Sequence, residues 1–143
     1  MESSRISFFN ENTSYKLRKI KKVRKWLSDA IYAEGKTYGE ISLIFCDDAY
    51  LHGMNIKFLN HDTLTDVITF DYNEGNKISG DIFISIERVK ENAALFSKSQ
   101  TDELHRVMLH GVLHLCGYKD KTRRDVAVMR QKEEQYLARF PLL

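Results

Sequence analysis

The sequence predicts an α+β fold, a small mixed four-stranded sheet packed with about five helices. Three observations carry that expectation. Short β-branched and aromatic runs are interleaved with segments whose apolar residues recur at helical spacing, in the order β-α-β-α-β-β-α-α-α. Two of the strand runs flank Asn73-Glu-Gly-Asn76, a turn that folds them into a hairpin. The 143 residues, 43% hydrophobic and 29% charged, suit one core and exclude a disordered chain, so a single domain over 1–143 is expected.

Each element has its own signal. Arg5 to Phe9 alternates weakly and reads as a short strand. From Ser14 as N-cap, Leu17, Ile20, Val23, Trp26, Leu27, Ala30 and Ile31 predict an amphipathic helix ending near Gly35. Ile41 to Cys46 is a strand bounded by Asp47 and Asp48, and a short helix follows to about Phe58. Asp66 to Tyr72 and Gly80 to Ile86 are the hairpin strands. Glu87 to Phe96 reads as helix. Ser99 or Thr101 caps the next helix, which has Asp102 and Glu103 in its first turn, runs to Cys116 and is stopped by Gly117. Thr122-Arg-Arg-Asp125 is a capping box for a last helix, whose period is set by Val126, Met129, Glu133, Tyr136 and Leu137.

No apolar run reaches the roughly 20 residues that span a bilayer. The first residues lack the basic-then-apolar order of a secretion signal, and Cys46 and Cys116 form no spaced pair. A cytoplasmic protein is expected. The net charge is only +2, but it is unevenly spread. Lys16, Arg18, Lys19, Lys21, Lys22, Arg24 and Lys25 share one acid-free stretch. Lys119, Lys121, Arg123, Arg124, Arg130 and Lys132 form a second group, diluted by Asp120 and Asp125. Such runs are solvated helix faces or polyanion surfaces, with nucleic acid the polyanion of choice. Lys21, Lys22, Lys25, Lys57, Lys119 and Lys121 are the candidate nucleic-acid contacts.

The chemistry concentrates in Leu109 to Asp120, LHGVLHLCGYKD. His110 and His114 stand at i, i+4 and project from one face of an otherwise apolar helix. A pair of core histidines is one reading. The other is a metal site: Gly117 can turn the chain back at the helix end, and Asp120 is close enough to return a carboxylate beside His114. Two imidazoles and one carboxylate make a three-ligand zinc site with its fourth position open to water. The spacing is that of metalloprotease H-E-x-x-H, but Gly111 stands where the catalytic glutamate would be, so a peptidase is disfavoured.

The stretch resembles the H-G-x-x-H-x-x-G-Y-D-H motif of the YbeY family, with His110, Gly111, His114, Gly117 and Tyr118 matching. Upstream, Asn55-Ile-Lys-Phe58, Thr65-Asp-Val-Ile-Thr-Phe70 and Gly80-Asp-Ile-Phe-Ile-Ser85 are similar to further family segments. The resemblance implies a zincin-like metal helix and a zinc-dependent, single-strand-specific endoribonuclease. Its work would be maturation of the 16S rRNA 3′ end and ribosome quality control, with rRNA and the small ribosomal subunit as partners. His110, His114 and Asp120 would hold Zn²⁺ and act through the water bound to it. Two departures stand out: Asp120 replaces the family's third histidine, with Lys119 before it, and Leu59 replaces an arginine. They keep open a non-catalytic ribosome-assembly factor with a structural zinc. Of the remaining candidates, His52, His61 and His105 read as surface or cap residues. Asp62 and Asp66 could line the cleft or close a turn, Phe70 and Tyr72 could stack on bases or be buried, and Cys116 reads as core.

Overall fold

The computed structural model describes residues 4–61 and 63–140. Nine elements follow in chain order: β1 (Arg5–Asn10), α1 (Ile20–Ala33), β2 (Thr37–Cys46), α2 (Asp48–Leu59), β3 (Val67–Asp71), β4 (Lys77–Ser85), α3 (Ile86–Leu95), α4 (Gln100–Leu115) and α5 (Arg123–Leu137). The sheet order is β1-β2-β4-β3, with β1–β2 and β2–β4 parallel and β3–β4 antiparallel. It is the four-stranded mixed sheet with five helices that the sequence predicts.

The sheet's alternation divides the core. Ile41, Leu43 and Phe45 of β2 and Ile82 and Ile84 of β4 pack with Val23, Trp26, Leu27, Ala30 and Ile31 of α1 and with the apolar residues of α4. On the opposite face, Leu51 of α2 packs with Cys46 and Ile68, flanked by Tyr50, Met54, Phe70 and Phe83. α4 is enclosed by β3, β4, α1, α3 and α5. This explains why its sequence is apolar on nearly every side. At Gly111 the helix comes so close to β4 that an added Cβ would lie 2.6 Å from Ile82 Cγ2. That contact fixes the helix's roll, and with it the direction of the neighbouring histidines.

Three boundaries differ from the sequence reading. α1 starts at Ile20 rather than Ser14, because Lys19 adopts a left-handed conformation (φ 56°) and no side chain caps the helix. The residues before it pack as coil, with the Tyr15 ring 5.3 Å from Phe45 edge to face. β2 and β4 begin earlier than read, at Thr37 and Lys77, and accommodate the extra length through a register irregularity between Tyr38 and Ile41. The capping box of α5 and the Ser99 cap of α4 are both present.

Candidate metal centre

α4 ends in a Schellman motif: Gly117 at φ 112° donates its N–H to His114 O at 3.0 Å, and Tyr118 N–H reaches Leu113 O at 3.1 Å. The reversed chain carries Asp120 back over the helix face. Its Oδ2 lies 3.2 Å from His110 Nε2 and 3.1 Å from His114 Nε2. One ligand atom from each of the three residues falls within 4.8 Å of the others. No fourth protein ligand joins them among the described residues.

The other ring nitrogens decide what this cluster can bind. His110 Nδ1 is 2.6 Å from Glu133 Oε2, and His114 Nδ1 is 2.9 Å from the Tyr118 carbonyl. Both partners only accept, so both Nδ1 atoms carry the proton and donate. In the neutral form each imidazole then turns a lone pair on Nε2 toward the Asp120 carboxylate. In that form three electron-rich atoms converge, and a cation satisfies all three. Imidazole nitrogens with one carboxylate are a zinc donor set, and three protein ligands leave a position open. The residues fit the metal.

An ionic network lies beneath the histidines. Glu133 is 6% exposed at its side chain and also accepts from Arg106 Nη1 at 3.3 Å. Arg106 donates to Glu103 from Nε at 3.0 Å and from Nη2 at 2.8 Å, and Nη2 lies 3.6 Å from Asp66. Three carboxylates, Glu103, Glu133 and Asp66, thus face one guanidinium, and with Asp120 beyond the histidines the acid surplus favours a bound cation. Burial opposes charge on His110, but Glu133, Asp120 and Asp66 outweigh it and raise its pKa. Burial likewise opposes the Asp120 carboxylate, yet charge on His114 and His110 and hydrogen bonds from them, present when their rings are protonated, hold its pKa below the usual value. Burial raises the pKa of Asp66 despite Arg106 and His110.

The other predicted residues fall in several places. Lys119 and Lys121 flank Asp120 and are exposed at the site. Lys57 lies in the last turn of α2, its Nζ 5.2 Å from the Phe58 ring centroid. Lys21, Lys22 and Lys25 stand on α1, and Lys25 pairs with Asp29 at 3.0 Å. Leu59, at the end of α2, is exposed. Asp66 joins the Arg106 network, and Asp62 lies outside the described residues. Phe70 meets Phe58 and Phe83 edge to face, whereas Tyr72 is exposed and donates to Asp81. Cys116 is half-buried, and burial pushes its thiol up to about 12.

His61 is exposed and His52 is half-buried. His105 departs from the surface reading: it is buried, stacked at 4.3 Å on Phe140 and 5.7 Å from Trp26. Glu133 and Arg106 were missed by sequence reasoning. Glu133 carries the available signal, since it lies with Met129 and Tyr136 on the buried stripe of α5, where an acid needs a partner.

Fold and site define the class: an α+β protein whose central buried helix and the loop after it bring two histidines and an aspartate into a group that could hold a metal ion. The sequence pattern of the endoribonuclease YbeY family matches residues 5–141. The chain belongs to that family. It is 54% identical to the endoribonuclease YbeY of Flavobacterium johnsoniae, over 92% of this chain and 95% of that relative. Its identity to the Christiangramia forsetii protein of the same name is 51%, over 98% and 97% of the two chains. Among solved structures, it is similar to the solution structure of TM1509 from Thermotoga maritima (TM-score 0.65, 26% identity, covering 93% of this chain and 87% of that one).

Proposed function

We propose that the chain is a zinc-dependent endoribonuclease specific for single-stranded RNA. In this reading it matures the 3′ end of 16S rRNA and acts in ribosome quality control, on the small ribosomal subunit in the cytoplasm. The family membership supports the nuclease class. No described helix is long and apolar enough to cross a membrane. The observation that carries the reading is the convergence of two Nε2 atoms and the Asp120 carboxylate with no fourth protein ligand among the described residues.

His110 and His114 hold the metal from a rigid helix, and Asp120 closes the site from the loop. When bound, the metal supplies positive charge to the scissile phosphate and lowers the pKa of water beside it. Lys119 and Lys121, exposed on either side of Asp120, draw the RNA backbone to that position. Asp120 in place of an imidazole reduces the positive charge of the centre, and exposed Leu59 offers no cation to the transition state. Turnover is therefore slow and rises toward alkaline pH. The same Leu59 favours the second reading, an assembly factor that binds rRNA without cutting it.

The test is cleavage of a single-stranded rRNA fragment by zinc-loaded protein, with His114→Ala as the blank. Cleavage by wild type alone is expected, and equal cleavage by both at every pH rejects catalysis here. Reversal of Lys119 and Lys121 to Glu should also flatten the salt dependence of RNA binding more than reversal of Lys21, Lys22 and Lys25.

A further inference from the structure

Glu34 is the C-cap residue of α1, with a side chain only 10% exposed. A carboxylate there faces the negative end of the helix dipole, and no basic residue in the last turn of α1 offsets it. Helix chemistry alone disfavours it, and its partners must offset that cost. They come from far along the chain and converge. Tyr118 donates its hydroxyl to Oε1 at 2.5 Å, Tyr136 of α5 donates to Oε2, and Lys132 Nζ lies 3.2 Å from the same oxygen. Lys132 also stands 5.8 Å from the centre of the Tyr118 ring.

Tyr118 is the residue through which this cluster meets the metal centre. Its carbonyl accepts a hydrogen bond from His114 Nδ1 at 2.9 Å, and its N–H closes the end of α4 on Leu113 O at 3.1 Å. Asp120 follows two positions later. The ring is thus held by α1 and α5 while the backbone of the same residue fixes one ligand's tautomer and starts the return of another.

We propose that Glu34 is a positioning residue for the metal centre, acting through Tyr118 on both His114 and Asp120. The inference rests on the metal-site reading. It separates the two jobs of the cluster: the Tyr118 arm tunes the site, and the Tyr136 arm only fastens α5 to α1.

The experiment compares Glu34→Gln, Tyr118→Phe, the double variant and Tyr136→Phe. Zinc affinity is measured by chelator competition on protein shown to be folded by circular dichroism. Glu34→Gln and Tyr118→Phe should each weaken zinc about tenfold, the lower end for outer partners of a metal ligand, and the double variant should lose no more than either. Tyr136→Phe should lower the melting temperature and leave zinc affinity unchanged, which general loosening would not do. The visible band of cobalt-loaded Glu34→Gln should shift, as the ligand geometry relaxes. Tyr118→Phe carries the test should Glu34→Gln fail to fold. Wild-type affinity in both single variants overturns the proposal, as does equal weakening by Tyr136→Phe. A wild-type chain that binds zinc regardless of His110 and His114 overturns the site reading and the proposal with it.

Discussion

Replacing Glu133 by Gln probes the support of His110 with little change in shape. The carboxylate accepts from His110 Nδ1 at 2.6 Å and from Arg106 Nη1 at 3.3 Å. An amide has one accepting oxygen, so its NH₂ must face either the imidazole proton or the guanidinium, donor against donor. If the oxygen stays on His110, a charge-assisted bond becomes a neutral one. The difference is about 1–1.5 kcal/mol, or roughly tenfold in affinity. The side chain is only 6% exposed, so solvent screens little of it. The same substitution removes one of the three acids crowded around Arg106, and the metal-free protein should melt within a few degrees of wild type. Competition with a chromophoric chelator reads the affinity, and circular dichroism with temperature reads the stability. Zinc bound as tightly as by wild type would refute the idea that Glu133 sets the ligand state of His110.

Asp120→His should retain or tighten zinc and shift any cleavage profile to lower pH. Loss of zinc, seen by elemental analysis, would contradict the assignment of Asp120 as third ligand. Gly111→Ala should cost about 1–2 kcal/mol, the overpacking against Ile82 exceeding the gain in helix propensity, and lower the melting temperature by roughly 3–8 °C. His105 should make the fold acid-sensitive. Burial lowers its folded pKa below the ordinary 6.5, with Asp102 opposing and Lys19 assisting, so the unfolded chain takes up the proton first. Its contribution is present above pH 6.5 and is lost as pH falls from there toward the folded value. His105→Phe should flatten that limb in denaturant titrations at successive pH values.

What the sequence reveals here follows the range of the interactions. The Thr122–Asp125 capping box, the Ser99 cap, the turn at Asn73 to Asn76 and the Gly117 stop all act within a few residues, and each is where the pattern places it. His110, His114 and Asp120 lie in one short segment, and their convergence was legible for the same reason. The start of α1 is not legible because the apolar spacing of Leu17 continues smoothly into Ile20, while the left-handed turn at Lys19 leaves no compositional mark. Glu133 and Glu34 depend on partners brought together only by the packing of α1, α4 and α5, so periodicity could place them on a face but not against a histidine or a tyrosine. His105 looked like a surface residue because nothing local announces the rings of Trp26 and Phe140.

The closeness of the three ligands along the chain also matters when the protein is unfolded. His110, His114 and Asp120 remain neighbours in any denatured ensemble, so metal can bind there too, without Glu133 or the sheet behind it. Binding to both states partly cancels, and zinc should raise the melting temperature by less than its affinity for the native protein implies. A cation bridging His110 and His114 would also close one turn of α4, the step whose entropy normally opposes helix nucleation. The metal would then act on folding kinetics as well as stability, seeding the one helix around which the rest of the core is assembled.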